Sequence, residues 1–554
     1  MVRVYHILLK RTIVSAGVLM LAWMPAGAGS PDGNHFLEVN KSIDIFGRVY
    51  KEISSNYVDE IQPSRFMDVG IEAMLGSLDP YTVYIDRENG DEVELLTSGK
   101  YGGIGVTIGY RDGTVQVMSV MDGYSAQRQG LIPGDRILEV DDTPVKGKKP
   151  DVVRNLTRGA PGTEVRLLID REGEVSPLAF VLIREEIRLR NVTYTTRFSD
   201  DIGYVRLERF SRNAGEEVRQ AIKDLRDEGE LRGLVLDLRG NPGGLLEAAV
   251  EVVSKFVPRG SEIVSTRGRR PESAKTYQSS EEPLASDIPL VVLTDRESAS
   301  ASEIVSGAIQ DLDRGLIVGD RTFGKGLVQT IIPLNYGAQL KVTTARYYIP
   351  SGRSIQEIDY ENRTADGVFA PYADSARHEF RTVGGRVVYE HGGIAPDSVV
   401  LSKDEGPMVS ALRRKAMFFR FMNGYVAEQK EDLNPRVTEE TVRAFRTYLD
   451  QQDFEFEENT EKAIKELRDA AEELHYADHL MEDINRLSER VQEEKQRAFE
   501  RFRDHITYHL QVELSARVNG EQGRIEAQLE RDVQLETALH LLQDTVAYGK
   551  KISG

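Results

Sequence analysis

Residues 233–244 read GLVLDLRGNPGG, an apolar run followed by a turn and two adjacent glycines. The run at residues 233–238 is apolar enough for a strand that is buried on both faces. Asn241 and Pro242 are typical of a tight turn, and residues 245–256 have helical spacing. The segment predicts a strand, a turn and a helix start whose glycine N–H groups can hold a developing negative oxygen. An ordinary strand–turn–helix joint would have the same pattern.

Strands and helices alternate on both sides of this segment, which predicts an α/β layered core. Short β-like runs cut by glycines precede that core from residue 101, and residues 41–77 have helical spacing before them. Beyond about residue 402 the chain is highly charged, and its apolar residues recur at spacings of three and four. That pattern favours packed helices or a coiled-coil seam; the apolar residues are Ile464, Leu467, Ala471, Leu474, Met481, Ile484 and Val491.

The composition of the 554-residue chain excludes several classes of protein. A net charge of −19 argues against a nucleic-acid or anionic-membrane binder. Without cysteine there are no disulfides, zinc–thiolate sites or cysteine nucleophiles. We expect no metal ion or other cofactor.

The N-terminus has the pattern of a secretory signal peptide. Arg3, Lys10 and Arg11 precede the apolar run at residues 13–23, and the sequence AGA at residues 26–28 is similar to a cleavage site. An uncleaved membrane anchor is the alternative, but the run is short for a full span. We expect export to the bacterial periplasm or the extracellular space.

A second segment, ESASASEIVSGAIQD at residues 297–311, alternates serine with alanine where a helix begins. A serine becomes a nucleophile only when a base takes its proton, and histidine is the usual base. A Ser-His-Asp triad would have to use His378 or His391, because none of the nine histidines lies between residues 35 and 378. One serine could instead be only a helix N-cap.

A lysine is therefore the main remaining candidate for the base. Lys325 lies between two glycines in GDRTFGKG, residues 319–326, which separates two strand-like runs. A lysine base must be uncharged, so we expect a dry pocket around it; a lysine in a flexible surface loop is the alternative. The loop nearly matches a phosphate-binding motif, but Gly326 replaces the hydroxyl residue and a strand follows.

Together these three segments closely resemble the C-terminal processing peptidases, also called tail-specific proteases. The resemblance implies that Ser300 is the nucleophile, Lys325 the general base and Gln329 the glutamine that orients it. It also implies an oxyanion hole formed by the N–H of Ala301 and that of a glycine.

The resemblance leaves other roles less defined. The glycine of the oxyanion hole is Gly243 or Gly244. Asp311 matches an acidic family position that is sometimes assigned to a charge relay, and we expect a structural role for it. Glu303 is a second acidic residue with a relay or structural role.

The family carries a PDZ domain before its catalytic core, and residues 130–140, GLIPGDRILEV, resemble part of one. Residues 101–106, YGGIGV, resemble its carboxylate-binding loop, whose N–H groups would receive a free C-terminus while the peptide adds to the sheet edge. The implied peptide-binding residues are Gly103, Ile104, Gly105 and Val106. Arg158 lies at a family motif that could couple peptide binding to activity; a solvated loop arginine is the alternative.

The resemblance implies a multidomain α/β (α+β) fold with a crotonase- or ClpP-like α/β peptidase core, a PDZ β-sandwich or barrel, N-terminal helices and an α-helical C-terminal extension. We expect these segments: 1–28 signal peptide, 29–98 N-terminal helical region, 99–188 PDZ domain, 189–401 Ser-Lys peptidase core, and 402–554 charged α-helical extension. DPYT at residues 79–82 departs mildly from the more usual histidine-and-serine motif.

The predicted function is that of an exported, ATP-independent serine endopeptidase that binds protein C-termini and cleaves near them through an acyl-enzyme. One alternative is a catalytically silent PDZ scaffold, and another is a hydratase-like enzyme that acts on a thioester. Residues 402–554 are predicted to bind an adaptor or a second copy, or else to form a solvated helical bundle without a partner.

Overall fold

A computed structural model of the chain describes residues 31–86, 91–111, 113–199, 201–364, 368–401, 405–429, 434–475 and 478–553. The predicted signal peptide at residues 1–28 lies outside these ranges. The chain divides into two compact units, Met1–Pro80 and Tyr81–Gly554. Within the ranges given, none of the helices has the length and apolar character that crossing a bilayer requires.

The first unit contains two helices, α1 (Pro31–Asn56) and α2 (Pro63–Leu75). Proline at the first position of α2 suits a helix start, where its missing N–H costs nothing. The Tyr50 hydroxyl donates to the Pro63 carbonyl over 2.7 Å, and its ring stacks on Phe66. The helical spacing predicted in this region is confirmed.

The second unit begins with a short strand that the sequence pattern did not predict. This strand, β1 (Val83–Ile85), pairs antiparallel with β18 (Gln339–Tyr348). Three residues are too few to show strand alternation, so only the distant partner identifies it. A helix, α3 (Asp91–Ser98), follows.

The next region is built around a small antiparallel sheet in the order β3-β4-β5-β7-β8. Val117, Val140 and Ile169 are buried in its core. The strand β3 is at the sheet edge, because its partner in this sheet is β4. The elements of the region are β2 (Lys100–Gly103), β3 (Val106–Arg111), β4 (Thr114–Val120), α4 (Ser125–Arg128), β5 (Arg136–Val140), β6 (Thr143–Pro144), α5 (Pro150–Thr157), β7 (Glu164–Asp170), β8 (Leu178–Ile183) and β9 (Glu185–Arg188).

The α/β region contains a six-stranded sheet in the order β10-β11-β12-β15-β16-β23. Its strands from β11 to β23 run parallel, and every residue of β12 and β15 is buried, as expected for strands covered on both faces. The elements are β10 (Val192–Phe198), β11 (Ile202–Leu207), α6 (Ala214–Asp227), β12 (Gly233–Asp237), α7 (Leu246–Ser254), β15 (Leu290–Thr294), α8 (Ala301–Asp311), β16 (Leu316–Gly319) and β23 (Ser398–Val399).

A second sheet contains β1, β18, β13 and β14 in that order, and β17 pairs with β18. Two short hairpins, β19–β20 and β21–β22, follow it along the chain. Its remaining strands and the hairpins are β13 (Glu262–Gly268), β14 (Lys275–Gln278), β17 (Leu327–Pro333), β19 (Ile358–Arg363), β20 (Phe369–Pro371), β21 (Glu379–Arg381) and β22 (Val387–Tyr389).

The C-terminal extension is helical, as predicted. One cluster of buried aromatic residues, including Phe418 and Phe445, joins its first helices. A hairpin formed by α12 and α13 buries Ile464 and Ile484, whereas Leu467 is 48% exposed. The helices are α9 (Gly406–Arg414), α10 (Met417–Glu428), α11 (Glu439–Gln451), α12 (Asn459–Glu473), α13 (Asp478–Gln496), α14 (Ala498–Arg501), α15 (Arg503–Val518), α16 (Gly520–Leu529), α17 (Val533–Gln543) and α18 (Thr545–Ser553).

The last three helices cover one face of the six-stranded sheet. Leu234 and Leu236 of β12 pack with α6, α7 and α8, while Val235 between them packs with residues of α16 to α18. Successive strand residues point to opposite faces, so the two sets of helices lie on opposite sides. The Tyr548 hydroxyl contacts both the N–H and the carbonyl of Leu290 at 3.1 and 3.0 Å.

This packing predicts a stability effect far from the candidate site. We expect Leu542→Ala to lower the free energy of unfolding by about 2–5 kcal/mol, because Leu542 is 5% exposed and packs on the sheet. Val546→Ala, at a position that is 65% exposed, is the matched control and should change it by less than about 0.5 kcal/mol. Urea unfolding measures both; equal effects would contradict the packing.

Candidate active site

Two loops leave neighbouring parallel strands at the same edge of the sheet. Residues 238–245 follow β12 and residues 295–300 follow β15. The two strands pair with each other, and near their carboxyl ends Asp237 of β12 lies opposite Leu293 of β15. Ligand sites in open α/β sheets lie at this edge, beyond the carboxyl ends of the strands. The glycine pair and the alternating serines are therefore neighbours in space.

Two of the three alternating serines join these loops. The Ser298 hydroxyl donates to the Leu238 carbonyl and the Ser302 hydroxyl to the Asn241 carbonyl, each over 2.9 Å. Both side chains are fully buried. Their hydroxyls satisfy backbone carbonyls inside the protein, which is a structural role.

The middle serine has a different environment. Ser300 is the N-cap of α8, with φ +55° and ψ −110°, and it is only partly buried. Positive φ is rare for a residue other than glycine and is concentrated at functional sites. Gly243 lies against it: a Cβ added there would be 2.6 Å from the Ala299 carbonyl oxygen and 2.9 Å from the Ser300 Cβ. Only glycine fits this approach.

A buried carboxylate connects Ser300 to the lysine loop. Glu303 Oε2 accepts the N–H groups of Ser300 and Lys325 over 2.8 and 2.9 Å. Its Oε1 accepts the Thr322 hydroxyl and the Gly324 N–H, each over 2.7 Å. Burial raises the pKa of Glu303 to about 7, although these hydrogen bonds act in the opposite direction. Through one oxygen atom the Glu303 carboxyl group thus fixes the backbones of both candidate catalytic residues.

A second side chain contacts the same two residues. The buried Tyr347 hydroxyl lies 3.1 Å from the carbonyl oxygen of Ser300 and 2.5 Å from that of Lys325. Burial, with a contribution from the charge of Glu303, raises the pKa of Tyr347 well above its ordinary value. The hydroxyl therefore stays protonated and able to donate.

The lysine loop connects β16 to β17. The Lys325 side chain is partly buried, so it is less enclosed than the predicted dry pocket. Its Nζ lies 4.1 Å from the centroid of the Tyr81 ring, which covers part of it. Gln329, on β17, donates from Nε2 to the Thr343 hydroxyl over 3.4 Å.

The two glycines of the predicted oxyanion hole differ in their hydrogen bonds. The buried Gly243 donates its N–H to the Asn241 side-chain oxygen over 2.9 Å. Gly244 is exposed. In the ranges that the structure describes, the N–H groups of Gly244 and Ala301 have no hydrogen-bond acceptor within the protein.

The other candidates have different surroundings. Asp311, at the end of α8, forms a buried ion pair with Arg353 over 2.8 Å and accepts the Ser351 N–H. These buried contacts are the environment that we expect of a residue with a structural role. The side chain of His378 contacts that of Glu390, and the ring of His391 stacks on the ring of Tyr372.

The predicted peptide groove lies between the edge strand β3 and α5. A cavity of about 220 Å³ is lined there by Gly103, Ile104, Gly105 and Val106, among others. The Arg158 guanidinium, at the end of α5, lies 4.6 Å from the centroid of the Tyr101 ring at the same cavity. An unpaired strand edge can accept an extended peptide as an additional strand.

Four sequence models of known families match the chain. They are Peptidase family S41 (residues 201–362), PDZ domain (116–171), Probable PDZ-protease, C-terminal helical domain (408–542), and Activating protease CtpB N-terminal domain (30–89).

Relatives match over much of their length. The carboxy-terminal-processing protease of Bartonella bacilliformis is 38% identical over 62% of this chain and 79% of its own length. The chain belongs to the carboxy-terminal processing proteases of peptidase family S41. The protein CtpB of Bacillus subtilis is 31% identical over 58% of this chain and 67% of its own. A solved structure of a photosystem II D1 C-terminal processing protease is 31% identical in sequence, and its TM-score is 0.35. The match covers 56% of this chain and 89% of the chain in that structure.

This carboxy-terminal processing protease is a serine-type peptidase with a PDZ domain and a C-terminal helical domain. The sequence pattern gives no sign that Tyr347 contacts the candidate site of this protease, because that residue is distant in the chain and lies in no local motif. The joining role of Glu303 has a local signal: a serine followed three residues later by glutamate is a capping-box pattern.

Substitution of Gly243 tests the close approach at the site of this protease. We expect Gly243→Ala to lower kcat by about 100-fold or more, because the added Cβ would displace the Ser300 loop. Gly260→Ala is the matched control: it also has positive φ, but its added Cβ meets nothing within 4 Å. Steady-state cleavage of a tailed protein measures both; a Gly243→Ala enzyme as active as Gly260→Ala would refute the close approach.

The pKa of Glu303 predicts a pH-dependent stability. Because the folded pKa is raised to about 7, folding favours the protonated carboxyl, and this contribution is present at low pH and lost as pH rises through 7. The free energy of unfolding of the wild type, relative to Glu303→Gln, should therefore fall by about 3 kcal/mol between about pH 4.5 and 7.5. Urea unfolding of both proteins measures this; a difference that does not vary with pH would contradict it.

Proposed function

We propose that this protease is an exported, ATP-independent endopeptidase that binds protein C-termini and cleaves nearby peptide bonds through an acyl-enzyme on Ser300. One observation carries the proposal. Of three serines at alternate positions, two are buried in structural hydrogen bonds and the third is accessible next to the lysine loop.

In this mechanism Lys325 Nζ, uncharged, accepts the Ser300 hydroxyl proton while Oγ attacks the carbonyl carbon of the substrate. The ammonium that results then gives its proton to the leaving amine as the peptide bond breaks. Water, deprotonated by the same lysine, then attacks the ester carbonyl carbon, and the ammonium returns this proton to Ser300 Oγ as the ester bond breaks and the carboxylic acid product leaves. Gln329 orients the amine.

We assign the oxyanion hole to the N–H groups of Gly244 and Ala301. The hydrogen bond from Gly243 to Asn241 and the exposure of Gly244 favour this choice. The start of α8 adds a favourable dipole for a negative oxygen. Asp311 and Arg353 maintain the other end of the helix.

Substrates are proteins with accessible C-termini. The terminal carboxylate would bind the N–H groups of residues 103–106 while the tail pairs with β3. Arg158 would respond to a bound tail; its contact with the Tyr101 ring at the same cavity supports this role.

Export rests on the signal-peptide pattern of residues 1–28 and gives a periplasmic or extracellular enzyme. An adaptor or a second copy remains our proposal for the exposed parts of residues 402–554. The apolar residue Leu474 on the α12–α13 hairpin, which is 61% exposed, favours such a contact.

The test is to trap the acyl-enzyme with a tailed model protein. Acid-quenched reactions should yield the Ser300 peptide carrying the N-terminal part of the substrate, together with a burst of the released C-terminal part. Ser300→Ala and Lys325→Ala should abolish both. Ser306→Ala is the matched control, because its buried hydroxyl donates to the Ser302 carbonyl, and it should keep the burst.

The same substrate with an amidated C-terminus tests tail recognition. We expect KM to rise at least about tenfold, because the carboxylate is lost. Binding of the tail without any cleavage by the wild type would favour the silent scaffold, and cleavage by Lys325→Ala would refute the proposed base.

A further inference from the structure

Tyr81 places an aromatic face against the amine of Lys325. Nζ lies 4.1 Å from the centroid of the ring, well within the range of a cation–π contact. The residue belongs to the motif at residues 79–82 in which this sequence departs from the more usual family pattern.

The ring is held in place by the sheet behind it. The next residue, Thr82, is buried and accepts the Thr343 N–H over 3.2 Å, and β1 then pairs with β18. On another side the ring meets Tyr360 edge-on, with centroids 6.1 Å apart. A ring that is fixed in this way loses little conformational freedom when it contacts the amine.

An aromatic face favours the charged form of an amine, because the negative face of the ring attracts the ammonium. In the proposed mechanism Lys325 becomes charged at the moment when Ser300 loses its proton. A contact that strengthens as this charge develops stabilises the transition state more than the ground state. The buried carboxylate of a Ser-His-Asp triad acts on its histidine in the same way.

We propose that Tyr81 is a positioning residue that stabilises the ammonium of Lys325 as it takes the proton of Ser300. This inference rests on the proposed function of both residues. The ring acts through the lysine and does not itself exchange a proton.

Other ionisable groups surround Lys325 and must be considered. Glu303 on α8 accepts its N–H, and Tyr347 on β18 contacts its carbonyl oxygen. Glu357 donates its backbone N–H to the carbonyl of Gly324, the residue before Lys325. These contacts of Glu303 and Tyr347 do not involve the side chain at position 81, and burial, the main cause of the raised pKa of Tyr347, keeps that hydroxyl protonated in each variant.

The test is the pH dependence of kcat/KM for the full-length enzyme and its position 81 variants. Tyr81→Leu removes the negative face, so the amine should lose its proton at lower pH and also be a weaker base. We expect the acidic limb to move down by roughly 0.5–1 pH unit and the plateau to fall by about threefold to tenfold. Tyr81→Phe keeps the face and should match the wild type in both.

A shape-matched variant protects the test against misfolding. A trifluorinated phenylalanine at position 81 has nearly the shape of phenylalanine but a weaker negative face. Relative to Tyr81→Phe, it should move the limb in the same direction as Tyr81→Leu. A limb that stays at the wild-type pH in this variant and in Tyr81→Leu would overturn the inference, as would an equal shift in Tyr81→Phe.

Failure of the inference can be distinguished from failure of the proposed function. If Lys325→Ala retains wild-type turnover, the proposed base is wrong and the inference falls with it. If Lys325→Ala is inactive and the position 81 variants keep the wild-type limb, only the role of Tyr81 is wrong.

Discussion

The carboxylate of Glu303 lies inside the protein and accepts hydrogen bonds from four donors on two segments. Burial opposes its charge, while the four donors favour it, and the resulting pKa of about 7 reflects this opposition. Because one oxygen receives the N–H groups of both Ser300 and Lys325, their backbones cannot separate without leaving buried hydrogen-bonding groups unsatisfied. The geometry proposed for catalysis depends on this constraint.

The scaffold around this carboxylate is made of backbone contacts that tolerate little change. Asn241 donates to the Leu207 carbonyl, accepts the Gly243 N–H with its side chain and accepts the Ser302 hydroxyl with its carbonyl. One asparagine thus joins the ends of two strands and the start of α8. Ser298 and Ser302 are fixed inside the protein, and only Ser300 of the three serines stays partly exposed.

The C-terminal helices also contact the loop at residues 238–245, which carries Gly243 and Gly244. Arg239, just after β12, pairs with Asp237 and with Asp532 at the start of α17, each over 2.6 Å. Burial opposes ionisation of Asp237, but Arg239 keeps the pKa of this carboxyl below its ordinary value. The loop that carries Gly244 is therefore anchored to a helix nearly 300 residues later in the chain, so the extension packs directly against the peptidase region.

The sequence by itself determined the alternation of strands and helices in the α/β region and the helical character of the C-terminal extension, and its motifs made Ser300 and Lys325 the candidate nucleophile and base, because apolar periodicity and short motifs are local properties. It did not determine that Glu303 joins these residues or that Tyr347 and Tyr81 contact them. Nor did it show which glycine keeps a free N–H, or that the extension covers the sheet. Only the tertiary structure decided these points, because each depends on side chains that meet across long separations and on burial, which no local pattern records.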